Sequence, residues 1–276
     1  MKSIFELENR LNINKEFEKL LNALFIDGEA VIQEKDLNDY NEFSNLKNAI
    51  DNTVFLDWKF RQTFLSTEEY LGFLGINVEE ILSYDSCYIE EDVFLYFLEF
   101  LINMFWLMGQ NNKLEFSPKA KAYVENIPKI LEKMNYKSEI LEDRVIITKR
   151  NADVDSVLTA VPTNISQMLL EYNDFRIKDD IKAKKDILKS IDLYLDADNH
   201  KIKNLIKGKN KELVDSFETI LNNMGVNHLS DDEKYKNMSN EERIKWYDKA
   251  FLMMLHGIRS IEVDKIKQER KDLISK

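Results

Sequence analysis

Apolar residues recur along this chain with a period near 3.6, and the runs are bracketed by residues that start or stop helices. Phe17, Leu20, Leu21 and Leu24 keep the i, i+3, i+4, i+7 spacing and run out at Asp27-Gly28, a turn signal. Ser66 with Glu69 three residues on is a capping box that opens a short helix from Tyr70 to Leu74, closed by Gly75. Ser117-Pro118 supplies a cap residue and then proline at the first helical position. Ile127, Ile130, Leu131 and Met134 continue that stripe, with Pro128 a kink point. Ile187, Ile191, Tyr194 and Leu195 make another stripe, and Leu213, Phe217, Ile220, Leu221 and Met224 one more, stopped by Gly225. The last helix starts at Ser239 with Glu242 in the box, and Ile244, Tyr247, Phe251, Met254, Ile258 and Ile261 run down one face. Four antiparallel helices in this last part predict a bundle.

Two stretches depart from the amphipathic pattern. Val93 to Met108 is apolar nearly all round, broken only by Glu99 and Asn103, which predicts a buried helix rather than a bilayer span of about twenty uninterrupted residues. Glu99 and Asn103 are four apart and share a face. They read as a polar stripe reaching the edge of the first lobe, with a mutual hydrogen bond or a small polar pocket as the alternative. Residues 136–149, YKSEILEDRVIITK, carry two runs rich in Ile and Val around Glu142-Asp143 and predict a hairpin of Ser138–Leu141 with Arg144–Thr148. Glu-Asp is poor chemistry for a tight turn, which leaves the register open. A lone hairpin is unstable in water, so it must lie on a helical lobe.

Composition sharpens the fold class. The 276 residues contain seven Gly and three Pro, where an average chain of this length has about nineteen and fourteen. Doubly wound nucleotide-binding sheets, sandwiches and propellers are disfavoured, and a mainly α protein follows: a helical N-terminal lobe, one small β-hairpin near 136–149 and a C-terminal helical bundle. Soft boundaries near 112 and 160 give an acidic helical domain over 1–112, a connector of helix plus hairpin over 113–160, and the bundle over 161–276.

Charge is unevenly spread within the net −11. Residues 1–110 hold 8 basic and 21 acidic side chains, and residues 111–276 hold 31 and 29. A nucleic-acid partner would meet the second part, and a basic protein partner the acidic first lobe. Cys87 is the only cysteine, which excludes an intramolecular disulfide and a cysteine zinc cluster and fits a reducing cytoplasm. The N-terminal MKSIFELENRLNINKEFEKLL lacks the apolar core and cleavage site of a signal peptide, so neither export nor membrane insertion is expected.

Little classical chemistry is encoded. His200, His228 and His256 have no metal-ligand spacing, and no Walker lysine, GxSxG elbow or dinucleotide fingerprint occurs, so no metal and no cofactor is expected. Two features stand out. NHKIKNLIKGKNK, residues 199–211, places Lys201, Lys203, Lys207, Lys209 and Lys211 in a run without acid. Such a run suits salt-sensitive, sequence-blind contact with RNA or DNA phosphates, or a solvated interhelical face. NNMGVNH, residues 222–228, sets His228 beside Asn222 and Asn223 at a helix end, where an imidazole can act as acid or base near neutral pH. His256 and Arg259 lie one turn apart and read as a stripe with Trp246 and Met253.

LLEYNDFRIKDDIKAKKDILKSIDLYLD, the NN…NH stretch and MSNEERIKWYDKAFLMML together resemble the C-terminal part of bacterial abortive-infection-type proteins with a HEPN-like helical bundle, over roughly 165–276. The resemblance implies phage defence, a toxin-like effector and metal-independent RNA cleavage in which histidine moves protons and arginine steadies phosphate charge, with two sites meeting across a homodimer. His228 matches the family histidine, and Asn222-Asn223 stand where the arginine and its polar neighbour belong. The arginine is missing, and no arginine lies four to six residues before any histidine. Losing one electrostatic donor of this kind typically costs about a hundred- to a thousandfold, so the likeness implies an RNA-binding effector or a weak ribonuclease. The alternative is a non-catalytic helical sensor or adaptor whose acidic lobe grips a protein and whose bundle dimerises. Phe94, Phe97, Phe100, Phe105 and Trp106 give that lobe an aromatic load that is either core or contact surface.

Overall fold

In the computed structural model, residues 11–28, 32–35, 40–83, 88–111, 114–226 and 237–274 are described, and they are mainly helical. The chain divides into two compact units, Met1–Ile147 and Thr148–Lys276, while the sequence predicts boundaries near 112 and 160. The division falls inside a β-strand, so the expected connector splits: its helix and most of its hairpin belong to the first unit.

The first unit is built around one apolar helix. Helices α1 (Ile13–Phe25), α2 (Leu46–Thr53), α3 (Thr67–Phe73) and α4 (Val78–Ser83) precede α5 (Glu91–Gln110), whose Phe94, Phe97, Leu98, Phe100, Leu101 and Met104 are all buried. Although α5 has the length and apolarity of a membrane span, it is the core helix of this unit. Phe17 of α1 meets Phe94 and Phe97 edge-on, and Phe100 lies in a ring cluster with Phe55, Trp58 and Tyr70. The aromatic load is therefore core for Phe94, Phe97, Phe100 and Phe105, while Trp106 is half-buried. The capping box at α3 forms with a twist. Ser66 accepts from the Glu69 N–H at 3.3 Å, but the Glu69 carboxylate reaches back to the N–H of Leu65 at 2.8 Å rather than to the cap residue.

A three-stranded antiparallel sheet also belongs to this unit, with no counterpart in the sequence reading. Strand β1 (Ile32–Lys35) lies between β2 (Tyr40–Glu42) and β3 (Leu114–Phe116), pairing Gln33 with Glu42 on one side and with Glu115 on the other. Helix α6 (Pro118–Lys133) follows, capped by Ser117 with Pro118 in its first turn and Pro128 inside it. It leads into β4 (Tyr136–Leu141) and β5 (Arg144–Lys149), the expected hairpin. The Glu142-Asp143 turn forms because Glu142 accepts a left-handed φ of +57°, and Lys59 pairs with Asp143.

Glu99 and Asn103 fasten this hairpin to the core helix; they do not form an edge stripe. The buried Asn103 amide donates to the Val145 carbonyl at 2.7 Å and accepts from the Val145 N–H at 2.9 Å, as a neighbouring strand would. The Glu99 carboxylate accepts from the Ile147 N–H at 3.2 Å.

The second unit is the helical bundle. After the one-turn helix α7 (Ala152–Asp155) come α8 (Thr163–Tyr172), α9 (Ile181–Lys209), α10 (Lys211–Asn223) and α11 (Asn240–Ile274). Their core joins Leu169, Leu188, Ile191, Leu195, Phe217, Leu221, Tyr247, Phe251 and Met254. Ser239 and Glu242 make both halves of the predicted capping box, at 3.2 and 2.9 Å, which holds the Glu242 carboxyl below its usual range. Gly225 stops α10 with φ +67°. Lys184 meets Asp248 and Lys209 meets Asp264, so the two ends of α9 meet α11 in the order in which they occur along it. Gly257 lets α11 approach α9, since a Cβ there would stand 3.0 Å from Ile206.

Candidate functional site

The lysine run closes α9, and its geometry begins with a bend. The Lys203 ammonium lies 3.0 Å from Asp192, 2.6 Å from Asp196 and 3.2 Å from Glu218 of α10. On a straight helix, residues 192 and 203 are about 16 Å apart along the axis, too far for a lysine and an aspartate to meet end to end. The axis of α9 therefore bends between them, and the folded-over segment drives Lys203 into the bundle. Its side chain is only 8 % exposed, and it also sits over the Phe217 ring at 5.8 Å. Burial pulls the ammonium's pKa down, but the hydrogen bonds it donates to Asp196 and Asp192, with Glu218 behind them, outweigh that and leave it above the ordinary lysine value.

The rest of the run is largely engaged as well. Lys207 pairs with Asp215 at 3.3 Å, and Lys209 pairs with Asp264 at 2.7 Å while donating to the Ser260 carbonyl. The Lys209 hydrogen bond is the main reason the Asp264 carboxyl is held below its usual range. Lys201 and Lys211 are exposed. Lys211 borders an open groove between α10 and α11, lined also by Asp215, Thr219, Trp246 and Met253, where Lys249 covers the Trp246 ring at 4.0 Å.

Asn222 and Asn223 are exposed at the far end of α10, and the Asn222 carbonyl accepts from Gly225 N–H at 3.2 Å. Eleven residues of helix place Asn222 about 16 Å from Lys211. Only Lys201 lies toward that end, because Lys203 faces Glu218 and Lys207 faces Asp215 in antiparallel register. The asparagines and the distal lysines thus do not share one surface. His228 lies outside the described residues. His256 is exposed on α11, and Arg259 stands 3.6 Å from Asp153.

One polar cluster of the bundle was not singled out from the sequence. The Tyr172 hydroxyl donates to Asp248 at 3.0 Å, Lys184 donates to the same oxygen at 2.8 Å, and the Lys184 ammonium stands 4.2 Å from the Tyr172 ring centroid. Tyr172 also stacks on Phe251 at 3.9 Å. Burial first, and then the Asp248 charge, pushes the phenol's pKa far up, so Tyr172 stays protonated at any physiological pH. The cluster is a brace among α8, α9 and α11. Its only sequence signal is a tyrosine continuing the apolar stripe of α8.

Among the described residues, no three His, Cys, Asp or Glu side chains are grouped as a metal site. The Asp192, Asp196 and Glu218 carboxylates do converge, but on the Lys203 ammonium. No family model, curated protein or solved structure matches the chain.

Proposed function

We propose that this chain is a non-catalytic interaction protein that associates with a second copy of itself through the end of α11. The observation that carries this reading is the run from Val263 to Ile274, every residue of which is exposed. Val263, Ile266 and Leu273 there expose 41 %, 56 % and 78 % of their surface. They fall at successive a and d positions of a heptad, with Arg270 at the intervening a position. Local pairs hold the helix together, Lys265 with Glu262 and Lys267 with Asp264, but each contributes only about 0.2–0.5 kcal/mol. A partner helix laid on the apolar stripe takes these side chains out of water. In a parallel pair Glu262 and Lys267 of opposite copies meet at the flanking g and e positions. The internal pairing of Lys203, Lys207 and Lys209 supports the same reading, since it leaves the run few free cations for phosphate.

Sedimentation of the full chain is expected to show a dimer that dissociates on dilution, and Ile266→Asp with Leu273→Asp to give a monomer that keeps its helical circular dichroism and a cooperative unfolding transition, its melting temperature no longer dependent on concentration. A monomer at every concentration overturns the reading. The competing ribonuclease reading draws on Asn222, Asn223 and Lys201 standing at one end of α10. Metal-independent cleavage of bulk RNA that disappears in His228→Ala would put it in place of the adaptor.

A further inference from the structure

The hairpin of the first unit has one edge occupied and, among the described residues, no strand on the other. Val145 spends both main-chain groups on Asn103, and Ile147 gives its N–H to Glu99, so these residues of β5 point their backbone away from β4. With Glu142-Asp143 as a two-residue turn, Ile140 lies opposite Val145 and Ser138 opposite Ile147. In an antiparallel pair, opposite residues turn their main-chain groups the same way, inward or outward together. Ser138 and Ile140 therefore present N–H and C=O groups along the outer edge of β4.

That edge borders a cavity of about 360 Å³. Ile102, Phe105 and Trp106 of α5 and Val124, Ile127 and Pro128 of α6 form its apolar walls, and Ser138, Glu139 and Ile140 form its strand side. Pro128 lies within α6 and has no N–H to give the carbonyl four residues back. Ile140, at the rim, is 61 % exposed. Glu139 is neutralised by Lys137, so the groove itself carries no uncompensated charge. The unit around it does: residues 1–147 hold 15 basic and 27 acidic side chains.

The geometry points to a peptide-binding groove in which an extended segment of a partner protein adds as a strand to β4. The segment carries a large apolar side chain for the cavity and basic residues on either side of it. Strand addition satisfies the edge groups of Ser138 and Ile140, and every second side chain of the guest faces the cavity. The basic flanks answer the acidic unit and speed encounter. A small molecule would fill the cavity but leave the strand edge unpaired, which is why a strand is the better occupant. The inference shares with the proposed function only the premise that the chain works through protein contacts; it concerns a different unit and surface from the α11 tail.

The test uses the full chain and short fluorescein-labelled peptides with lysine at both ends, threonine at alternate positions and one central phenylalanine. Binding in the micromolar range is expected by fluorescence anisotropy. Exchanging phenylalanine for glycine, or N-methylating the amides on the edge-facing side, weakens it by about tenfold or more. On the protein side, Ile140→Pro removes an outward N–H at an edge where proline is tolerated and has the same effect, and Val124→Trp fills the cavity. Hydrogen exchange of the Ser138 and Ile140 amides slows when peptide is bound. Binding that ignores N-methylation, amides that exchange unchanged, or no binding by any phenylalanine peptide overturns the proposal. Each of these outcomes is independent of whether Ile266→Asp and Leu273→Asp alter the oligomeric state.

Discussion

Lys203→Ala is expected to destabilise the bundle by about 3–5 kcal/mol, the scale for removing one partner of a buried ion cluster. The variant removes the ammonium on which Asp192, Asp196 and Glu218 converge. It also releases the bend that brings residues 192 and 203 together. Urea unfolding of the full chain, followed at the second unit's transition, measures the loss. The effect is conditional on the acids. With Asp192→Asn and Asp196→Asn in the background, Lys203→Ala costs at least about 1 kcal/mol less, because neighbours in one network are not additive. The pH dependence has a definite sign. Lys203 titrates above the ordinary lysine value of 10.5 in the folded chain. Its contribution is therefore complete at neutral pH, and it declines only as pH rises past 10.5 toward the raised folded value. The stability gap between parent and variant is flat through neutral pH and narrows in alkali. A loss below about 1 kcal/mol, or a gap that closes at neutral pH, would refute the buried cage.

Asn103→Leu is the second large effect, at about 3 kcal/mol, and falls on the first unit. Leucine matches asparagine in size but leaves the N–H and C=O of Val145 buried without partners, at about 1–3 kcal/mol for each group. Asn103→Asp is at least as damaging, because a carboxylate accepts from the Val145 N–H but repels its carbonyl. The local signature is loss of hydrogen-exchange protection at the Val145 amide, with the α1 core around Leu21 less affected. Peptide affinity at the β4 edge falls with it, since α5 then no longer fixes the hairpin against the groove. If Val145 stays protected in Asn103→Leu, the hairpin is held by its apolar contacts and the amide clamp is incidental.

The helix starts and stops were legible because they are local. Ser66, Ser117 and Ser239 each cap the helix they were expected to open, and Gly75 and Gly225 take the positive φ that ends one. The burial of α5 followed from its having no polar face wide enough for water. The hairpin was legible in its two Ile- and Val-rich runs despite a turn pair that argued against it, since the positive φ at Glu142 is tolerated where β5 is clamped and Asp143 is paired with Lys59. The three-stranded sheet left no such trace. Its strands are three or four residues long, too short for an alternation to register, and β3 is some eighty residues from the β1 strand it pairs with.

Sequence by itself determined that this protein is mainly helical, where several of its helices begin or end, and that one hairpin interrupts them, because caps, stripes and turn residues act within a few positions of themselves. Tertiary structure alone decided what the charged and polar residues beyond the helix caps do. A lysine run is a phosphate-binding surface only if no acid folds onto it, and here the bend of α9 brings Asp192 and Asp196 to Lys203 while the antiparallel α10 brings Glu218, from up to fifteen residues away. Glu99 and Asn103 became a clamp for the same reason, since their partners lie more than forty residues further on. Electrostatic and hydrogen-bond partners are chosen by proximity in space.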